Sequence, residues 1–317
     1  MTAAAAGASG TLHTTTVEPL LGTRVTLRLR AVDEPAGAAA EAAAIGEIER
    51  LEALLSSYRP GSEWSLWRLG EADEAGPELQ ALLRLAAHWH SASKGAFHPG
   101  TGTLRARWQL AVTEQQLPSP AEMAELAAGI TTLPYRIEGD RAVRTGDCSD
   151  LDLHAIAKGW IVDAAAATAT AVPGVEEVLL NVGGDLLHRG DGWIRVGIDD
   201  PRRPFDNVPP MVRVRLRNAG LATGSGARRP LVVGGQRLSH VLDPRTGWPV
   251  QQVLSASVFA PDAATADVVA TVVGVLPAAD GVRFVGSLPD VGCCLLDAAG
   301  VLHRDQRWLQ REGEPGT

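Results

Sequence analysis

The stretch Asp152-Leu153-His154-Ala155-Ile156-Ala157-Lys158-Gly159 runs into an alanine-rich segment ending near Pro173-Gly174. It continues to Val178-Leu179-Leu180-Asn181-Val182-Gly183-Gly184-Asp185. The alanines and the Pro-Gly stop predict a helix that begins at the polar island. The apolar run after it is short and is closed by two glycines and an aspartate, which reads as a buried strand whose end needs backbone access. One unit therefore places polar groups at the start of a helix and at the end of a strand, each beside residues small enough to let a ligand approach the backbone.

Upstream, alternation at Val25, Leu27 and Leu29 predicts a strand with one buried face, and Ile45, Ile48, Leu51, Leu54 and Leu55 recur at helical spacing. Residues 56–70 carry turn signals mixed with Tyr58, Trp64 and Trp67, and Pro77 opens a second helix. Ser119-Pro120-Ala121-Glu122 is a capping serine, a first-turn proline and a glutamate three residues on, with an exit at Gly129. Tyr135 to Val143 reads as a hairpin around Gly139-Asp140. Downstream, strands are expected at 193–198, 212–216 and 254–259, a hairpin around Gly234-Gly235, and a helix capped by Asp262 that runs through Val275. A helix from Ala278 and strands near 294–296 and 301–303 complete the pattern. With no tandem repeat and no separating linker, the expectation is one compact α+β body.

The chain has 317 residues, 45% of them apolar, and Asp plus Glu exceed Lys plus Arg by 37 to 29, for a net charge of -8. That is ordinary globular composition, and the acidic balance disfavours a general nucleic-acid surface. Cys148, Cys293 and Cys294 have no metal-like spacing, so a reducing, cytoplasmic setting is expected. No run approaches the length of a membrane span, and residues 1–12 and 311–317 are expected to be disordered around a 13–310 domain.

A third island, Thr265-Ala266-Asp267-Val268-Val269-Ala270-Thr271, puts Asp267 and Thr271 four apart on one helix face. A carboxylate and a hydroxyl so placed can serve an oxygen-liking cation such as Mg²⁺. Taken alone, the pair reads more readily as a helix-favouring aspartate and a threonine bonded to its own backbone. Asp152 and Lys158 bracket a helix start, which suits a phosphate; a cap and a surface lysine explain the same letters. His240 stands three residues before Asp243 in the island Ser239-His240-Val241-Leu242-Asp243-Pro244-Arg245-Thr246-Gly247. The two side chains can share a cleft, with His240 accepting a hydroxyl proton, or each can serve its own turn.

Together the islands resemble the ApbE family of flavin transferases, the FAD:protein FMN transferases. The three match its DLxxIAKGxxxD, HxxDPxTG and ADxxAT motifs in order, with Asp163 completing the first. Leu180 to Asp185 is similar to its NxGGD strand, Leu21-Gly22-Thr23 to its opening, residues 55–69 to its first flavin loop, and Gly95-Ala96-Phe97-His98-Pro99 to its GAFDP segment. The resemblance implies an ApbE-like α+β fold, either undivided or in two lobes with the flavin between them. It implies Mg²⁺-dependent cleavage of FAD as substrate, transfer of FMN to a Thr or Ser hydroxyl of an acceptor protein, and release of AMP. Hydrolysis of FAD to FMN and AMP, or non-catalytic carriage of FAD, are the alternatives. On this reading Ala155 (through its carbonyl), Asp267 and Thr271 hold the metal and His240 activates the acceptor. Tyr58, Ala96, Phe97, His98, Asp152, Lys158 and Ser239 contact FAD. The sequence departs from the family at His98, where aspartate is usual, at Gly70, where asparagine is common, and at 223–226, a loose match to its TSG turn.

Overall fold

The computed structural model describes residues 10–203, 207–224 and 230–312. In chain order its strands are β1 (Thr11–Leu20), β2 (Thr23–Ala31), β3 (Tyr135–Glu138), β4 (Arg141–Arg144), β5 (Val175–Val182), β6 (Asp185–Gly190) and β7 (Ile194–Ile198). They continue with β8 (Val212–Leu216), β9 (Ala219–Gly224), β10 (Leu231–Val233), β11 (Gln236–Leu238), β12 (Val253–Ala260), β13 (Gly292–Asp297) and β14 (Leu302–Arg304). The helices are α1 (Glu34–Leu55), α2 (Glu63–Arg68), α3 (Pro77–Ala92), α4 (Gly102–Glu114) and α5 (Pro120–Gly129), then α6 (His154–Thr170), α7 (Ala263–Val275), α8 (Ala278–Gly286) and α9 (Gln306–Arg311).

An eight-stranded antiparallel sheet in the order β1-β2-β5-β6-β9-β12-β13-β14 forms the frame. Its residues alternate between two apolar cores, as the two-residue period of a strand requires. Val178 and Leu180 of β5 join the main core with α1, α6 and α7, whereas Leu179 points to the other face. There it meets Leu186, Leu221, Phe259, Trp308 of α9, and the inner residues of a two-stranded ribbon, β7–β8. A third, smaller core joins α4 and α5 to β10 and β11 through Leu104, Trp108, Met123, Val233 and Leu238.

Helix α6 buries Ile156, Gly159, Ile161, Val162, Ala165 and Ala169, so it is packed nearly all round rather than along one stripe. Its small residues let it approach both neighbours closely. A Cβ on Gly159 would stand 2.4 Å from the Ala263 carbonyl oxygen and 2.6 Å from the Ala264 Cα, both backbone atoms of α7.

Most predicted elements form where the pattern placed them, and the differences are local. Strand β1 takes up Thr11 and Leu12, and α9 with the bridge at Glu312 takes up two residues of the tail, all expected to be disordered. Residues 1–9 and 313–317 lie outside the described residues, as do Ser225 and Gly226 of the loose TSG match. Residues 56–70 contain α2, capped by Ser62 onto the Ser65 N–H, and α4 was not foreseen. Among the described residues no helix is long and apolar enough to cross a membrane. All three cysteines are free and buried.

Candidate active site

The first turn of α7 is fixed twice. Asp262 caps it by accepting the Thr265 N–H at 2.7 Å, and Asp163, reaching across from α6, accepts the N–H groups of Ala263 and Ala264 at 2.8 Å each. Burial pushes the Asp163 carboxyl up to about 6, against the pull of those two N–H groups. Asp163, read in the sequence only as the end of a motif, thus ties together the two helices that carry the first and third islands.

Asp267 follows one turn later and is buried. Its carboxylate lies 3.4 Å from the Gly159 N–H and 3.8 Å from the Lys158 ammonium, over the turn of α6 that carries Ala155. Lys158 also forms an ion pair with Asp185, at the start of β6. Burial raises the pKa of Asp267, the neighbouring Asp185 carboxylate adds to the rise, and Lys158 offsets only part of it. Burial pulls Lys158 down, but the two carboxylates outweigh it and hold the ammonium above its ordinary value. Two carboxylates around one ammonium leave negative charge in excess, and the donors are hard oxygens, which fits a divalent cation of the Mg²⁺ type. Among the described residues no group of three His, Cys, Asp or Glu side chains gathers to cage a metal. A cation here would need the Thr271 hydroxyl, backbone oxygen, water or ligand oxygens. In this structure Thr271 donates its hydroxyl to the Asp267 carbonyl at 3.3 Å.

Three cavities meet around this cluster. The one beside α7, ≈ 580 Å³, is lined by Lys158, Asp185, Asp267, Thr271 and His240, with the end of β7 as its far wall. A second, ≈ 640 Å³, is lined by Leu21 to Thr23, Ser56 to Arg59, His154 and Lys158. A third, ≈ 140 Å³, takes in Ala96 to His98, Asp152, His154, Ala155, His240 and Thr271. Lys158 and Gly183 are common to the first two, His240 and Thr271 to the first and third, and His154 to the second and third.

Tyr58 is 84% exposed and stacks on His154, with ring centroids 5.9 Å apart. The His154 ring approaches Asp152 at 3.0 Å, and its backbone N–H donates to the same carboxylate at 2.7 Å. Burial works to raise the Asp152 pKa, but His154 and the ion pair with Arg105 of α4 hold it down at about 2. His154, Arg105 and Asp185 were all missed as site residues. Asp185 left a sequence signal, the aspartate closing the glycine pair after β5, whereas the stacking of His154 on Tyr58 and the pairing of Arg105 with Asp152 are tertiary contacts.

His98 is buried, accepts the Gly100 N–H on Nδ1 at 2.8 Å and meets His90 edge-on at 4.6 Å. Burial, with His90 beside it, lowers its pKa to about 4, so the ring is neutral at neutral pH.

Ser239 and Asp243 both bond within the turn of the second island. Ser239 lines none of these three cavities, and its hydroxyl accepts the Val241 N–H at 3.0 Å. Asp243 does not share the cleft with His240. It accepts the Arg245 N–H at 3.0 Å and pairs with the Arg245 guanidinium at 2.7 Å, so it serves its own turn. His240 itself is exposed at the cleft.

The fold and cleft define a class, an α+β protein built on an eight-stranded antiparallel sheet, with a polar cleft where two helices cross. The chain belongs to the ApbE family, whose model matches residues 21–295. It is 31% identical over 247 residues to a Rhodobacter capsulatus protein called FAD:protein FMN transferase; the match takes in 77% of this chain but 45% of that protein. A Treponema pallidum protein of the same name is 29% identical over 259 residues, with 72% and 69% covered. The ApbE protein of Thermotoga maritima superposes with a TM-score of 0.80 at 24% identity, over 96% of this chain and all of that one. The apo form of the Pseudomonas stutzeri flavinyl transferase ApbE gives 0.77 at 20% identity, over 96% and 99%. At these identities the two structures establish the shared fold.

Proposed function

We propose that this chain is an FAD:protein FMN transferase, which passes FMN from FAD to a threonine or serine hydroxyl of an acceptor protein and releases AMP. The reading rests on one observation, that Lys158, Asp185, Asp267, Thr271 and His240 line a single cleft at the crossing of α6 and α7. The names of the relatives point the same way.

In the proposed reaction the acceptor oxygen attacks the phosphorus on the FMN side of the pyrophosphate. A new phosphoester bond forms, the P–O bond to AMP breaks, and the hydroxyl proton passes to a ring nitrogen of His240. Lys158 places a positive charge beside the pyrophosphate, and Asp185 fixes the direction of that lysine. Asp267, Thr271 and the Ala155 carbonyl are the residues for Mg²⁺, which when bound neutralises charge on the pyrophosphate. Tyr58 and His154 offer flat faces to a ring system, and Ala96 to His98 wall the third cavity.

Chromatography of the protein incubated with FAD and Mg²⁺, with a threonine-bearing acceptor, separates the outcomes. AMP together with protein-bound flavin supports the transferase. AMP with equal free FMN marks a pyrophosphatase, and intact bound FAD marks a carrier. Asp267→Ala is expected to abolish Mg²⁺-dependent AMP release, and His240→Ala to keep FAD binding while slowing transfer at least about 100-fold. Normal turnover in both variants overturns the site assignment.

A further inference from the structure

The β7–β8 ribbon turns Ile194, Val196, Ile198, Val212, Val214 and Leu216 inward and the intervening residues to solvent. Its outward face carries Arg195, Arg213 and Arg215, with Arg217 at its end. Residues 193–217 hold six arginines against three aspartates in a chain whose net charge is -8. The register sets Arg195 directly opposite Arg215. Like charges at such a cross-strand pair oppose pairing. Among the described residues no carboxylate pairs with Arg195, Arg213 or Arg215; Arg217 approaches Asp191 at 3.7 Å. The Trp193 ring, 48% exposed, lies beneath the Arg215 guanidinium at 5.7 Å. An exposed indole beside unpaired guanidiniums is the composition of a binding surface for anionic groups.

The position of the ribbon supplies the occupant. Residues 196–201, the end of β7 and the turn after it, form the wall of the cleft that faces Asp267, Thr271 and His240. Whatever seats on the outer face therefore stands at the lip of that cleft. A macromolecule whose hydroxyl must reach His240 has to cross this lip.

We infer that the outer face of the β7–β8 ribbon docks an acidic segment of the acceptor protein, with Arg195, Arg213 and Arg215 as its contacts; this rests on the transferase reading. The arginines bring the acceptor in and orient it, and take no part in FAD cleavage.

The test uses the full chain and two threonine-bearing peptides that differ only in a flank, one rich in Asp and Glu and one neutral. Wild type should label the acidic-flank peptide with a KM at least about tenfold lower, and the preference should shrink as salt rises from about 0.05 to about 0.5 M. R195E/R213E/R215E should lose the preference while keeping kcat and FAD affinity. Because it keeps like charges facing each other at 195 and 215, its ribbon is no more relieved of repulsion than the native one. R195Q/R215Q removes that repulsion and should raise Tm while weakening acidic-flank labelling, a pair of changes that a purely structural role does not produce. Equal KM values for both flanks in wild type overturn the docking surface and leave the transferase standing, whereas no labelling of either peptide, with AMP and FMN released, overturns the transferase reading itself. Wild-type binding to phosphatidylserine vesicles that the triple variant loses, with peptide KM unchanged, overturns the inference in favour of a membrane.

Discussion

Two walls of the same cleft are built on opposite terms. On the α6–α7 side nearly every constraint is backbone: Gly159 against Ala263 and Ala264, two N–H groups held by Asp163, and Asp267 at the Gly159 N–H. On the rim formed by Leu21 to Thr23 and Ser56 to Tyr58, the Tyr58 ring is exposed and leans on His154. The contrast separates two demands. Groups that handle phosphate charge must hold their geometry before the ligand arrives, because electrostatic stabilisation depends on donors that need no reorganisation. A surface that receives a flat ring can be completed by the ring.

The largest expected effect therefore lies at the crossing of the helices. Gly159→Ala forces a methyl into two backbone atoms that have no flexible end to move, and should cost about 3 kcal/mol, the upper part of the range for overpacking. Urea unfolding measures it. A loss under about 1 kcal/mol would mean that α6 and α7 can slide, and the claim of a rigid wall would fall.

Asp163→Ala comes next. It removes both acceptors of the α7 first turn and leaves two N–H groups without their partners, for an expected loss of about 2 kcal/mol. It should also weaken Mg²⁺ binding, because Asp267 and Thr271 follow on the helix that this turn anchors. Isothermal titration with Mg²⁺, run at a temperature where the variant is folded, checks this; unchanged affinity would reduce Asp163 to a stability device.

How much of these walls the sequence shows follows from the range of the forces involved. Helix periodicity, caps at Asp262 and Ser119, and the Gly183-Gly184 turn act within a few residues, so α1, α5, α7 and β5 were legible. Strand β6 is not an alternating run, because Leu186 and Leu187 bury on opposite faces, one toward each core. Helix α4 buries only Leu104, Trp108 and Ala111, and its start is set by a loop packed on Asp150. In the site, Asp267, Thr271, Lys158 and His240 were readable because the motifs resemble a family. The pairing of Lys158 with Asp185, and the role of Asp163 as a cap from another helix, come from segments 27 and 100 residues apart and left no local trace.

His98 sharpens the comparison from a third position, a buried wall that titrates. Its pKa is lowered to about 4 in the fold, against about 6.5 for an ordinary histidine. A histidine that binds its proton less readily when folded adds stability above about pH 6.5, and that contribution is lost as the pH falls toward 4. His98→Asn keeps an acceptor for the Gly100 N–H and cannot take up the proton. Its stability should therefore fall less steeply than that of wild type between those pH values, as followed by thermal denaturation. Parallel curves would show that His98 is not the group sensing acid.

The smallest effect is the most discriminating for the rim. Leu21 holds φ at +54° in the turn between β1 and β2, a left-handed conformation that costs a side-chain-bearing residue about 1–2 kcal/mol and that glycine adopts freely. Glycine returns part of that gain through its looser unfolded chain, about 0.5–1 kcal/mol. Leu21 is only partly buried and lines the cavity with Tyr58, so little packing is lost on its removal. Leu21→Gly should then leave Tm within a few degrees of wild type, or raise it, while flavin affinity falls severalfold in a fluorescence titration. The strained leucine would then be kept for the surface it gives the cavity. A drop in Tm comparable to that of Gly159→Ala, with flavin affinity unchanged, would instead place Leu21 in the core and leave Tyr58 and His154 as the whole of the rim.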